Sequence, residues 1–129
     1  MKNKIVIIKD NVVVLYGLQA KLSIEGFRVD VNHELDSVSN IVNSLIVKKP
    51  DYILIDTNLS NINGRELICK VKANENLSKI KIFALSQASD NVEREKYSNM
   101  GVDYYLKEDD YSIDELVGKI NNIINNINK

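Results

Sequence analysis

Residues Pro50 to Ile68 read PDYILIDTNLSNINGRELI. The run from Tyr52 to Ile55 is apolar with almost no polar alternation, the pattern of a strand buried on both faces of a parallel sheet. Pro50 ahead of it closes a helix rather than continuing one. The run stops at Asp56, Thr57 and Asn58, so three polar side chains stand at the end of a buried strand.

The same pattern recurs in both directions. KIVII (Lys4 to Ile8) and KIFAL (Lys81 to Leu85) are equally unbroken, whereas FRVDV (Phe27 to Val31) alternates and suits an edge, and DYYL (Asp103 to Leu106) is the weakest run. Helical segments lie between them. The first extends from Val12 to Glu25 and stops at Gly26, the residue type that takes a left-handed conformation after a helix end. The second begins near Asp36 and closes before Pro50. Asp90 with Glu93 opens a shorter helix ending near Met100 and Gly101, and Ser112 with Glu115 forms a capping box ahead of Ile113, Leu116, Val117, Ile120, Ile123, Ile124 and Ile127. Five strand–helix alternations with short connections predict right-handed crossovers and a doubly wound parallel sheet, an α/β fold formed by one domain over residues 1–129.

Composition narrows the function. The 129 residues carry 17 Lys plus Arg against 18 Asp plus Glu, a formal charge of -1. That balance lacks the basic excess expected of direct nucleic-acid binding. One Cys, Cys69, and one His, His33, supply neither a disulfide nor a zinc-ligand set. Cys69 is expected to be a semi-buried filler and His33 an exposed loop residue without function. No apolar run approaches the ~20 residues that span a bilayer, and MKNKIVIIKD turns charged too early for a secretory signal, so no membrane association is expected and the chain reads as cytoplasmic. Neither G-x-G-x-x-G nor G-x-x-x-x-G-K-[ST] occurs, which argues against a nucleotide-binding enzyme on the same architecture.

Ligands of doubly wound sheets bind beyond the carboxyl ends of the strands. Those ends present Lys9, Asp10 and Asn11; Asp56, Thr57 and Asn58; Ser86 and Gln87; Lys107 and Glu108. Asp10 and Asp56 would end neighbouring strands, where two carboxylates suit Mg²⁺. A carboxylate there can also attack a phosphoryl group, giving an aspartyl phosphate. Ser86 could donate to a phosphoryl oxygen and an ammonium from Lys107 or Lys9 could neutralise another.

These segments resemble the receiver domain of two-component response regulators. The resemblance rests on Pro50 to Ile68, with Asp56 at the phosphoacceptor position and Gly64 opening the third helix, on IVIIKD, on IFALSQA with Ser86 at the hydroxyl position, and on GVDYYLK. It implies a flavodoxin-like (βα)5 fold of strand order 2-1-3-4-5 and a non-enzymatic signalling role. It implies a site of Asp56, Ser86 and Lys107, with Asp10, Asp56 and Asn58 holding Mg²⁺. The partner it implies is a histidine kinase or phosphotransfer protein, and the face of helix 4, strand 5 and helix 5 is where the change is read out or a second copy docks.

Three departures stand against the pattern. Lys9 and Asp10 replace two consecutive acidic residues, Asp109 replaces the Pro that follows the active-site Lys, and Ser60 replaces a loop Pro. The Lys itself has two registers. Without a gap from Gly101, Tyr105 takes the aromatic switch position and Glu108 replaces the Lys; with one residue deleted, Tyr104 is the switch and Lys107 the active-site Lys. A one-residue slip exchanges the faces of a strand, so only one register holds. Of the two tyrosines one is expected to face inward and the other outward. Ungapped, Lys9 and Glu108 could pair across the site, or Lys9 could take part of the metal's space and pair with Asp56 or Asp10. A receiver that binds partners without phosphorylation is therefore the alternative function. Val12, Val13, Leu15 and Tyr16 give the first helix more apolar surface than one buried stripe needs, which suits either core packing or a docking patch beside the site.

Overall fold

A computed structural model describes residues 3–32, 36–87 and 91–128. Five strands, β1 (Lys4–Ile8), β2 (Arg28–Asn32), β3 (Tyr52–Asp56), β4 (Lys81–Ser86) and β5 (Tyr104–Lys107), form one parallel sheet in the order β2-β1-β3-β4-β5. The helices are α1 (Val12–Ile24), α2 (Val38–Lys48), α3 (Gly64–Ala73), α4 (Asn91–Asn99) and α5 (Ile113–Ile127), with a short 3-10 turn over Glu108–Asp110. The doubly wound, flavodoxin-like architecture expected from the sequence is the one observed. The alternating FRVDV run forms the β2 edge, shifted by one residue, and β4 extends one residue further to include Ser86.

Strand alternation splits the interior into two cores. Ile5, Ile7, Leu54, Phe83, Leu85 and Leu106 pack against α1 and α5 through Leu15, Leu18, Leu116 and Ile120. Val6, Ile8, Ile53, Ile55, Ile82 and Ala84 pack against the other helices through Ile41, Leu45, Leu67, Ile68 and Tyr97. Both faces of the central strands are thus removed from water, which is why their sequences carry no polar alternation.

Local punctuation follows the residue types. Gly26 adopts φ 101°, and its N–H bonds to the Ser23 carbonyl at 3.0 Å to end α1. Ser112 and Glu115 exchange both capping-box bonds, at 2.9 and 3.1 Å, at the start of α5. Gly17, mid-helix in α1, has a packing reason: a Cβ there would lie 2.9 Å from Ile113 Cδ1, so the glycine lets α5 approach closely. His33 and Asp90 lie outside the described residues. Cys69 is exposed on α3 rather than semi-buried.

Candidate site at the carboxyl ends of the strands

The crevice beyond β1, β3 and β5 is occupied by side chains of the protein itself. Lys9 follows Ile8 directly, and its backbone N–H still bonds to Asn32 at 3.3 Å, so the residue is held as an extension of β1. Its Nζ donates to Asp56 Oδ2 at 2.9 Å. The same Nζ lies 2.6 Å from Glu108 Oε1, an ion pair whose angles fall outside hydrogen-bond geometry. The three side chains are 3%, 9% and 17% exposed, so this is a largely desolvated cluster. Burial pulls the Lys9 pKa down. The contacts with Glu108 and Asp56 outweigh it and leave Lys9 above the ordinary value of 10.5.

Alternation along the strands explains which residues meet. On β5, Tyr104 and Leu106 face the α1–α5 core while Tyr105 belongs to the opposite core. Lys107 therefore falls on the side away from Asp56, and Glu108, one residue further, returns to it. Lys107 is not brought to Asp56: its ion pair is with Asp110 at 3.6 Å. The gapped register, with Lys107 beside Asp56 and Tyr104 as the aromatic, is thereby corrected to the ungapped one. The two rings take opposite faces of the sheet, and both are half-buried. Tyr104 stacks on Phe83 at 4.8 Å, and Tyr105 lies against Tyr97 at 5.8 Å with the Arg94 guanidinium 5.1 Å from its ring.

The remaining candidates surround this cluster without joining it. Asp56 Oδ1 accepts from the Asn58 N–H at 2.8 Å, so both carboxylate oxygens of Asp56 have donors. Asp10 is half-buried, and its Oδ2 accepts from the Ser60 N–H at 2.8 Å. That bond, ahead of the opposing effect of burial, lowers the Asp10 pKa below 3.8. Asn58 is exposed. Ser86 is buried at the end of β4, paired in register with Lys107, one strand over from Asp56. Sequence reasoning assigned Ser60 no part in the chemistry, because the N–H it offers where a proline has none does not reveal its acceptor. The Arg94–Tyr105 contact was equally invisible, since nothing in a short polar helix indicates which ring its arginine covers.

A divalent cation bound by Asp10, Asp56 and Asn58 does not fit these residues. Mg²⁺ requires oxygen ligands free to turn toward it. Here Lys9 holds one oxygen of Asp56, Asn58 the other, and Ser60 one of Asp10. Among the described residues no group of three or more His, Cys, Asp or Glu is placed to hold a metal ion.

Fold and crevice together define a doubly wound α/β domain with an aspartate at its switch point. Residues 5–121 match the family described as response regulator receiver domain, and the chain belongs to that family. It is similar to the "probable transcriptional regulator ycf29" of Pyropia yezoensis, at 30% identity over 125 residues covering 96% of this chain and 54% of that protein. The chain thus spans about half the length of that curated relative. Among solved structures it superposes on the chemotaxis response regulator CheY4 of Vibrio cholerae with TM-score 0.81 at 14% identity, covering 95% and 99% of the two chains. It superposes on a CheY-like receiver domain protein of Methanospirillum hungatei with TM-score 0.80 at 18% identity, covering 98% and 96%. No helix among the described residues is long and apolar enough to cross a membrane.

Proposed function

We propose that this receiver domain serves a two-component regulator through protein–protein contact at the Asp56 end of the sheet, without accepting a phosphoryl group on Asp56. The observation that carries this reading is the Lys9 ammonium against Asp56 Oδ2, with Glu108 behind it. Nucleophilic attack needs a free carboxylate oxygen and a cation to neutralise the incoming phosphoryl oxygens. In this site the cation is already neutralised by two carboxylates, and Glu108 adds negative charge where a phosphoryl dianion would arrive. Val12, Val13 and Tyr16 are exposed on the first turns of α1, close in sequence to Lys9, and are the surface we assign to a protein partner.

The second reading is phosphoryl acceptance on Asp56 from a histidine kinase or phosphotransfer protein, with Mg²⁺. It is favoured by the position of Asp56 at the end of β3 with the buried Ser86 one strand away. Intact mass spectrometry after incubation with a small-molecule phosphodonor, with and without Mg²⁺, separates the two. The first reading predicts an unchanged mass under both conditions. A Mg²⁺-dependent gain of one phosphoryl group that disappears in Asp56→Asn would establish the second.

A further inference from the structure

The departures from the family pattern at the strand ends hold the residues of this crevice in a closed arrangement. Lys9 lies 2.9 Å from Asp56 and 2.6 Å from Glu108, and the Ser60 N–H, which a proline would lack, holds Asp10 at 2.8 Å. We propose that Lys9 is the resident cation of this site, standing where a divalent metal would otherwise bind, with Glu108 as its matched counter-charge. Reversing both positions together therefore opens a divalent-cation site. The inference deepens the phosphorylation-independent reading and rests on it.

The physical basis is exclusion by charge and by occupancy. An ion sharing Asp56 with Lys9 would sit within a few ångströms of a buried ammonium, where like charges repel far more strongly than in water. Both oxygens of Asp56 also have donors within the protein, and a metal would have to displace Lys9 from Oδ2 to share that carboxylate. Replacing Lys9 or Glu108 alone leaves a charge of the cluster uncompensated. Without Lys9 the carboxylates of Asp56 and Glu108 face one another, and without Glu108 the ammonium loses one of its two partners. Lys9→Asp combined with Glu108→Lys keeps the formal charge of the cluster constant. A gain in cation affinity in that variant would report arrangement rather than net charge.

The test is thermal denaturation in MgCl₂ against NaCl of matched ionic strength, supported by calorimetric titration of MgCl₂ into folded protein. Wild type is expected to show no Mg²⁺-specific shift and no saturable heat. The double reversal is expected to gain a Mg²⁺-dependent rise in Tm of roughly 4 °C at millimolar metal. If the double reversal does not fold, Lys9→Gln removes the ammonium, leaves Asp10, Asp56 and Glu108 in place, and should gain a smaller rise. Saturable Mg²⁺ binding by wild type would overturn the inference, as would a folded double reversal, or a folded Lys9→Gln, that stays indifferent to Mg²⁺. Failure of the underlying reading is separate, since it is a phosphoryl mass gained by wild type. Mg²⁺ binding without that gain sinks only the resident-cation inference.

Discussion

A lysine side chain with 3% exposure is tolerated in this fold because two carboxylates face it. Breaking a buried pair by removing one partner costs about 3–5 kcal/mol. Lys9→Met is accordingly expected to lose stability of that order in urea denaturation. With the ammonium gone, the carboxylates of Asp56 and Glu108 are left facing one another without a counter-charge. In wild type the raised Lys9 pKa contributes stability that is fully present below 10.5 and is lost only as pH climbs through the folded value. Asp10 behaves oppositely. Its lowered pKa contributes stability above 3.8 that disappears on acidification through the folded value. Ser60→Pro removes the donor, so the acid limb of the stability curve should flatten, with a loss of about 1 kcal/mol at neutral pH for this half-buried group. The pairing of Lys9 with Glu108 was legible in the sequence as two reversed charges at strand ends. The Lys107 assignment was not secure there, because Tyr104-Tyr105 and Lys107-Glu108 offer the same residue classes one position apart. Only the side each residue takes on the sheet separates them.

Helix termini show where local chemistry alone fixed an element. The Ser112–Glu115 box was readable because both partners are specified by residue type and spacing, and both bonds form. Ser112→Ala should lower stability by about 1 kcal/mol in chemical denaturation, with the loss originating at the start of α5. The end of α2 was readable only approximately, since Pro50 marks a stop but not the cap. The cap is Lys49, an exposed residue held at φ 51°, in the region that favours glycine. Lys49→Gly should therefore raise stability by about 0.5–1 kcal/mol, measured as a higher denaturation midpoint with unchanged slope. Gly17 illustrates the limit of propensity. Its cost within a helix is visible in sequence, whereas its reason, Ile113 of α5 against α1, is a tertiary contact.

Across the whole molecule, the sheet order follows from unbroken apolar strands alternating with helices, which leave few topologies open once crossovers are right-handed. That order brings the ends of β1 and β3 side by side and the turn after β5 back over them, so residues 9, 56 and 108 meet although they are distant in sequence. What sequence could not supply was the state of the meeting point: whether the ammonium neutralises the two carboxylates or lies elsewhere and leaves them to a metal. The most direct measurement is an NMR titration following the Lys9 side-chain ammonium, with Mg²⁺ added at neutral pH. A resident cation predicts that Lys9 stays protonated beyond 10.5 and that its resonance is unmoved by Mg²⁺ at constant ionic strength. A Lys9 that titrates at or below its ordinary value, or a resonance that shifts saturably with Mg²⁺, would contradict it.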